Sequence, residues 1–279
     1  MKESVLSFAC EGEPLIGILA EPETEAAAAV GVLIIVGGPQ YRVGSHRQFT
    51  LLARHLAANG FAALRFDYRS MGDSPGEARD FLGVDADIAA AITALLAARP
   101  ALKRVVLWGL CDAASAALLY LESTRDARVA GVALLNPWVR SAATLAQTHV
   151  KHYYWRRLRE KEFWLKLLKG GVGAKALMTL AGNLRLAQGA GKAPGQSSFQ
   201  DRMATGLRGL GCPALLILSG DDYTAREFSM YAQGSPAWKG LLDGPSLQLE
   251  AYAEADHTFS DPGQAAKVEA ATLSWLRKI

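Results

Sequence analysis

The chain has 279 residues, of which half are hydrophobic and a fifth are charged, a composition typical of a globular protein with a sizeable core. This length suits one large α/β domain with room for an insertion. A formal net charge of +3 is too small to indicate a nucleic-acid partner. The three cysteines lie far apart in the sequence, which excludes a disulfide framework or a zinc-binding spacing and favours a reducing compartment.

No targeting or membrane-spanning segment is predicted. Residues 1–6 have the pattern of a short strand rather than that of a signal peptide. Every apolar run is shorter than the ~20 residues that a membrane span requires. We therefore expect a cytoplasmic protein, and nothing in the sequence calls for a metal or another cofactor.

Hydrophobic patterning predicts strands and helices that alternate along most of the chain. A hairpin is expected first, followed by strands whose apolar runs indicate burial on both faces. The eight predicted strands are 5–10, 14–20, 31–36, 62–68, 104–109, 129–135, 213–219 and 247–252. Helices are predicted at 48–59, 80–98 and 263–277. This order indicates an α/β fold with a mostly parallel sheet covered by helices on both faces.

The segment 141–198 differs from the rest of the chain. It has no strand pattern, is rich in aromatic and basic residues, and ends in a stretch of Gly, Pro and Ser. We predict that it is a helical cap insertion over the strand ends. The α/β core would then consist of residues 1–140 and 199–279.

Within this predicted cap, residues 151–169 carry seven Lys or Arg against two Glu. One interpretation is a basic amphipathic helix that makes weak contact with an anionic membrane surface or a polyanionic polysaccharide. The other is a cap helix whose aromatic residues face the site and whose basic face is solvated. The two interpretations are compatible with each other.

The stretch 105–115 has the pattern of a nucleophile elbow, in which a sharp turn joins a strand to a helix. Cys111 occupies the corner, and the small residues Gly109 and Ala113 stand two positions before and after it. Larger residues there would collide with the packed strand and helix. The N-terminus of the following helix favours a thiolate at the corner. The alternative is a buried structural thiol, since free cysteine is among the most buried residue types.

Residues that could complete a catalytic triad follow later strands, and sites of parallel sheets gather at the carboxyl ends of their strands. In chain order they are the nucleophile Cys111, the acid Asp222 and the base His257. His257 would take the thiol proton, and Asp222 would accept a hydrogen bond from its other ring nitrogen. Asp221 is the alternative acid, and it could instead cap the following helix.

Two backbone N–H groups are predicted to stabilise an oxyanion. One is that of Asp112, directly after the corner, whose side chain would be a first-turn helix acid. The other is that of Gly38, because Pro39 has no N–H to donate. Gln40 is the fallback for this second donor.

Other polar residues near the predicted site are assigned supporting or unrelated roles. Charged residues around the end of the fourth strand are expected to form loop-fixing pairs rather than to act as catalysts; these are Arg65, Asp67, Arg69 and Asp73. The remaining histidines are expected to lie outside the triad; these are His46, His55, His149 and His152.

Over its full length the chain resembles the alpha/beta-hydrolase superfamily, and in detail it is similar to class 1 of the hydrolases associated with the exosortase A system. The segments that carry this resemblance are 37–49, 65–74, 109–115, 224–228 and 255–260. The cysteine-containing elbow is also similar to that of dienelactone hydrolase. The resemblance implies an alpha/beta-hydrolase fold, the triad of Cys111, Asp222 and His257, and a setting in bacterial exopolysaccharide production and protein sorting.

The sequence thus predicts a hydrolase that forms a thioester acyl-enzyme on Cys111 and cleaves an ester, thioester or lactone bond in a small-molecule substrate. Cys111 and Ala113 depart from the commoner Gly-x-Ser-x-Gly elbow, so acyl transfer is also open. Further alternatives are a non-catalytic protein that binds lipid or polysaccharide, and a peptidase, since Gly-Gly-Pro resembles the oxyanion loop of prolyl aminopeptidases. The oligomeric state is not predicted.

Overall fold

The computed structural model describes residues 1–23, 29–38, 40–140 and 197–279. Residues Met1–Trp138 and Phe199–Ile279 form one compact unit. Apart from its last two residues, the predicted cap with its basic stretch 151–169 lies outside the described residues. The interpretation of that segment as a cap stays a prediction.

Eight strands form one mixed sheet in the order β1-β2-β4-β3-β5-β6-β7-β8. β1 and β2 form an antiparallel hairpin, β2 lies antiparallel to β4, and all other neighbours are parallel. The strands are β1 (Lys2–Cys10), β2 (Glu13–Glu21), β3 (Val30–Ile35), β4 (Ala63–Asp67), β5 (Arg104–Leu110), β6 (Val129–Leu135), β7 (Ala214–Ser219) and β8 (Leu247–Tyr252). The predicted mostly parallel eight-stranded sheet is confirmed.

Burial along the strands explains their composition. Every residue of β3, β4 and β6 is buried, as expected for strands covered by helices on both faces. The outer strands β1 and β8 alternate between more and less exposed positions instead. β1 begins earlier than predicted, at Lys2, because its pairing with β2 continues back to Glu21.

Helices flank the sheet in the described part of the chain: α1 (Gln48–Ala58), α2 (Asp85–Ala98), α3 (Asp112–Thr124), α4 (Phe199–Arg208), α5 (Tyr223–Gly234) and α6 (Pro262–Leu276). α2 begins later than residue 80, where the sequence predicted its start. The Asp80 carboxylate accepts a hydrogen bond from Leu82 N–H at 2.9 Å, which stabilises a turn rather than a helix. Within the described ranges, no helix combines the length and the apolar character needed to cross a membrane.

A large apolar cluster lies against the sheet and includes residues of α1 and α6. Phe49 of α1 meets Trp108 of β5 edge-to-face, with ring centroids 5.8 Å apart. The Trp108 indole N–H lies 3.4 Å from the Thr272 hydroxyl of α6, so its polar atom has a partner in the core. Cys111 packs against the border of this cluster. The end of β5 is therefore held on its helix-covered side by close packing.

α3 and α4 approach each other closely at Gly206. A Cβ atom there would lie 2.1 Å from the Leu118 carbonyl oxygen of α3. Gly234 at the end of α5 offers a comparison, because a Cβ atom there would meet nothing within 4 Å.

We expect Gly206→Ala to lower the free energy of unfolding by about 1–3 kcal/mol, because the added methyl forces two packed helices apart. Gly234→Ala should leave it unchanged or raise it slightly, since alanine is the better helix former. Urea unfolding of both variants measures the difference. Equal stabilities of the two variants would contradict the close approach of the helices.

Candidate active site

The corner between β5 and α3 is strained at Cys111, whose backbone has φ 62° and ψ −124°. Glycine is required two residues earlier, because a Cβ atom on Gly109 would lie 2.6 Å from the carbonyl carbon of Ala113. Ala113 itself is buried. The corner is held by hydrogen bonds from Cys111 N–H to the Leu135 carbonyl at 2.8 Å and from Trp138 N–H to the Cys111 carbonyl at 3.2 Å. The close packing around the corner is therefore the reason for the small residues predicted there.

The ends of β6 and β7 are tied to the loop that carries His257. Asn136, fully buried and with φ 44°, donates from its side-chain amide to the Ser219 hydroxyl at 2.8 Å and to the His257 carbonyl at 3.1 Å. The Asn136 amide oxygen accepts from Ser219 N–H, and the Ser219 hydroxyl donates to the Asp256 carbonyl, both at 2.8 Å. Sequence reasoning gave Asn136 and Ser219 no role. The signal that could have found Asn136 is its position at a strand end before proline, since asparagine tolerates a left-handed backbone.

Asp222 holds the histidine and the start of α5 at the same time. Its carboxylate lies 2.9 Å from His257 Nδ1 and accepts from Thr224 N–H and Ala225 N–H at 3.1 and 3.0 Å. Although burial opposes ionisation, the hydrogen bond with His257 and the two backbone donors hold the pKa of Asp222 below its ordinary value. This carboxylate is therefore a preorganised anionic partner for the imidazole.

Asp221, the alternative acid, points elsewhere. Its side chain is 84% exposed, against 7% for Asp222, and its nearest cationic partner is Arg226 at 3.9 Å. The suggestion that Asp221 caps the following helix is wrong, because Asp222 is the residue whose side chain accepts the first N–H groups of α5. Asp222 has an extended backbone at the cap position, and its side chain is buried, whereas the side chain of Asp221 lies in solvent.

His257 is in contact with both other predicted triad residues. Hydrogen bonds with the Asp222 carboxylate, foremost, and with the Cys111 side chain raise the pKa of His257 to about 10 against the opposing effect of burial. The structure thus brings together Cys111 from the β5–α3 corner, Asp222 from the end of β7 and His257 from the loop after β8. At neutral pH this arrangement favours an imidazolium beside the Asp222 carboxylate.

The other cysteines and described histidines have different surroundings. Cys10 is buried, and burial raises the pKa of its thiol. Burial also raises the pKa of Cys212, to about 11. His46 is exposed, and His55 Nδ1 lies 3.7 Å from a carboxylate oxygen of Glu269. His149 and His152 lie outside the described residues.

Charged residues fix the loops after β3 and β4 as the sequence predicted. Asp67 is fully buried and accepts hydrogen bonds from the Arg42 guanidinium, from Arg42 N–H at 2.6 Å and from Asp73 N–H at 3.2 Å. Arg42 also pairs with Asp73 at 2.6 Å, a role that sequence reasoning missed. Arg69 forms a bidentate pair with buried Asp87, at 3.0 and 2.8 Å. Both loops are therefore held by ion pairs with buried aspartates.

Arg65, the remaining member of the predicted charged group, has a different partner. Its guanidinium pairs with the Glu3 carboxylate of β1 at 2.9 Å. Arg54 pairs with the same carboxylate group at 2.6 Å and is more exposed. The Arg65 guanidinium also donates to the Arg42 carbonyl at 3.3 Å, so Arg65 both ties β4 to the edge of the sheet and holds the loop after β3.

Of the two predicted oxyanion donors, Gly38 is engaged within the protein. Gly38 N–H donates to Asp112 Oδ2 at 2.9 Å, and the glycine has φ 59°. Asp112 is the first residue of α3, as predicted. Gln40, the fallback, accepts at its side-chain oxygen from Ser45 N–H at 3.4 Å. The predicted free donor at Gly38 is thus already bonded to a side chain of the same chain.

A cavity of about 250 Å³ lies between α1 and α6, lined mainly by apolar side chains that include Leu52, Trp108 and Val268. None of the three residues grouped around His257 lines it. In the described ranges, no cluster of three or more His, Cys, Asp or Glu residues is arranged to hold a metal ion.

Comparisons with known proteins agree with the fold. A model described as "Alpha/beta hydrolase family" matches residues 32–268. No curated protein matches the chain in sequence. Among solved structures, the esterase Pf2001 of Pyrococcus furiosus is similar, at 15% identity and a TM-score of 0.65 over 99% of this chain and 92% of that one. The esterase domain of a Rhodothermus marinus protein aligns over 100% of this chain and 99% of that one, at 18% identity and a TM-score of 0.61.

A third similar structure is XC6422 from Xanthomonas campestris, described as an α/β serine hydrolase without a lid. It aligns over 100% of this chain and 95% of that one, at 16% identity and a TM-score of 0.59. At such identities these likenesses show the fold. They do not transfer a substrate.

We expect Asp222→Asn to lower the pKa of His257 well below about 10, because the variant replaces the anionic partner of the imidazolium with a neutral amide. An NMR titration of the His257 ring protons measures this change. Asp221→Asn is the matched control and should leave the titration unchanged, since that carboxylate lies in solvent. Equal shifts in the two variants would contradict the assignment of Asp222 as the partner.

The same interaction has a defined effect on stability. The pKa of His257 is about 10 in the folded protein, and the unfolded value is ~6.5. The stabilisation is therefore fully present below pH ~6.5 and is lost as pH rises towards the folded value. In denaturant unfolding, the free energy of unfolding of the wild type should exceed that of Asp222→Asn by the largest amount at pH 6–7. This difference should narrow towards pH 10. A difference in unfolding free energy that widens as pH rises would contradict this interaction.

Proposed function

The chain belongs to the alpha/beta hydrolase family, and from this premise we propose that it is an enzyme that cleaves an ester, thioester or lactone bond in a small-molecule substrate. In this proposal Cys111 is the nucleophile, His257 the general base and acid, and Asp222 the residue that orients the imidazole. The observation that carries the proposal is the position of His257, which is hydrogen-bonded to Asp222 at 2.9 Å and interacts with the Cys111 side chain.

The first half of the reaction forms a thioester. The Cys111 thiolate attacks the carbonyl carbon of the substrate, and the carbonyl electron pair moves onto oxygen to give a tetrahedral oxyanion. When this intermediate collapses, the bond to the leaving group breaks. The leaving oxygen or sulfur takes a proton from the His257 imidazolium. The acyl group is then bound to Cys111, and His257 is neutral.

The second half regenerates the enzyme. Neutral His257 takes a proton from water, and the hydroxide oxygen attacks the thioester carbonyl. Collapse of the second tetrahedral intermediate breaks the carbon–sulfur bond and releases the carboxylic acid. The thiolate of Cys111 is then again paired with the His257 imidazolium. An alcohol in place of water would give acyl transfer by the same steps.

Asp222 contributes by position and by charge. Its carboxylate faces Nδ1, so the other ring nitrogen is left to serve Cys111 and the leaving group. Because two backbone N–H groups of α5 already hold this carboxylate, its place does not depend on the histidine alone. Such preorganisation reduces the rearrangement required during the reaction.

The corner at Cys111 supports the role of nucleophile through its backbone. A non-glycine residue at φ 62° stores strain that a purely structural cysteine would not require. Placement before the first turn of α3 also directs the positive end of the helix dipole towards the sulfur. Similar solved structures are described as esterases and as a serine hydrolase, and in this chain a thiol stands where the elbow pattern has serine.

For the biological setting we propose bacterial exopolysaccharide production. The support for this setting is the resemblance of residues 37–49 and 65–74 to the exosortase-associated hydrolases. The ion pairs of Arg42 with Asp67 and with Asp73 lie within these two segments.

We expect Cys111→Ala to reduce the hydrolysis of p-nitrophenyl butyrate on the order of 10³-fold or more, because it removes the nucleophile. Cys212→Ser is the matched control and should keep wild-type activity. Iodoacetamide at pH 7.5, with mass spectrometry of the labelled peptides, should modify Cys111 first. Burial raises the pKa of Cys212 to about 11, which keeps that thiol protonated and slow to react.

The contrary result is defined by the same assays. If the wild type and Cys111→Ala were equally inert towards acyl esters, and Cys111 were labelled no faster than Cys212, the proposed enzyme would be refuted. Binding of anionic liposomes or polysaccharide through residues 151–169 would then be the function to test.

A further inference from the structure

Asp112 places a carboxyl group where the sequence predicted an empty anion-binding site. Its Oδ2 accepts the hydrogen bond of Gly38 N–H at 2.9 Å. The backbone N–H groups of Ala113 and of Asp112 itself also favour the ionised form of this carboxyl group. The two backbone donors predicted for the substrate oxyanion, at Gly38 and Asp112, therefore both act on the Asp112 side chain.

The neighbouring loop is shaped to receive this side chain. A Cβ atom on Gly37 would lie 2.1 Å from Asp112 Oδ1 and 2.8 Å from Ala113 N. Oδ1 is buried and has no hydrogen-bond partner among the described residues. An unpartnered buried carboxylate oxygen carries a free-energy cost. The carboxyl group is therefore closely fitted into its position but incompletely satisfied there.

The charged and titratable groups that face Asp112 come from two other loops. His257, after β8, acts on it as a cation and favours its ionised form. Tyr68, after β4, faces it as a phenol whose own pKa is raised by burial and by the Asp112 charge. Asp112 is the acidic residue of the first turn of α3. Overall, burial dominates and raises the pKa of Asp112 above its ordinary value.

We propose that the Asp112 carboxylate is a built-in occupant of the oxyanion site, which the carbonyl oxygen of the substrate must displace before Cys111 can attack. This inference rests on the proposed function and deepens it, because it gives the free and the substrate-bound enzyme different hydrogen-bond partners for Gly38 N–H. An ionised carboxylate and an oxyanion cannot share these donors, since two like charges at one site repel each other.

Displacement involves no covalent change in Asp112. Rotation of the side chain breaks the bond between Gly38 N–H and Oδ2, and the substrate carbonyl oxygen accepts from the freed N–H. Protonation of Asp112 weakens the same bond, because a neutral carboxylic acid is a poorer acceptor than a carboxylate. Asp112 is thus a gating residue, and its influence grows as pH rises through its pKa.

Asp112→Ala and Asp112→Asn separate this role from its alternatives. We expect Asp112→Ala to raise kcat/KM for p-nitrophenyl butyrate at pH 8 about tenfold, because an oxyanion donor is freed, and loss of one such donor costs about 10²–10³ in rate. Asp112→Asn should lie between this variant and the wild type, since its amide oxygen is a neutral and weaker competitor. The ratio of kcat/KM of the variant to that of the wild type should fall towards one as pH is lowered.

Two other kinetic patterns would overturn the proposal. If Asp112 only positions the loop, Asp112→Asn should retain wild-type activity and Asp112→Ala should lose it. If the protonated acid donates a hydrogen bond to the oxyanion, both variants should lose activity, and the loss should be greatest at low pH. Circular dichroism and thermal unfolding establish that each variant is folded before its rates are compared.

A binding measurement tests the same idea without turnover. In full-length Cys111→Ala protein, titration with butyrate should shift the Gly38 amide resonance weakly. In the Cys111→Ala/Asp112→Ala double variant the same shift should need about tenfold less butyrate. If butyrate binds no more tightly to the double variant, the gating role is refuted even where the wild type is active. If binding tightens but the wild type hydrolyses no ester, the proposed function fails and the occupancy by Asp112 stands.

Discussion

The strained backbone at Cys111 is the constraint on which the site depends. A residue held at φ 62° between a buried strand and a helix has little freedom to relax, because Gly109 already lies against the backbone of Ala113. The turn places Cys111 against the border of the apolar cluster, directly before the first residue of α3. One local conformation thus provides a nucleophile position, an anion-binding position and the start of a helix. The packing of β5 around Trp108 maintains this conformation.

The partners of Cys111 come from distant parts of the chain, and a buried polar network brings them together. Asn136 and Ser219 bond to each other and to the backbone around His257, so hydrogen bonds join the ends of β6 and β7 to the loop after β8. Asp222 then follows Ser219 by three residues and caps the N-terminus of α5. Because each member of this network has a partner, the position of His257 is set by backbone contacts as well as by the carboxylate that it faces.

Much of this architecture could be predicted from the sequence, and the exceptions have physical reasons. Eight apolar runs predicted the strands, and the spacing of small residues around Cys111 predicted the corner. Both predictions succeed because these patterns depend on residues close together in the sequence. The choice between Asp221 and Asp222 needed the backbone conformation at the helix cap. The pairing of Arg42 with Asp67 joins two loops, and the bond of Gly38 with the Asp112 side chain joins residues 74 positions apart. Such long-range hydrogen bonds leave no periodicity in the sequence.

The two carboxylates of the site, Asp222 and Asp112, differ in their surroundings, and this difference separates their roles. Asp222 faces the imidazole of His257 and two helix N–H groups, so its pKa lies below the ordinary value. Asp112 has an unpartnered oxygen against Gly37, and burial raises its pKa. The first is stable as an anion and suited to hold a cation throughout a reaction. The second is bound less favourably, so a substrate oxygen can replace it at a smaller energetic cost. Environments that push the pKa values of neighbouring acids apart are a general mark of divided roles in catalysis, and here they divide a fixed partner from a displaceable one.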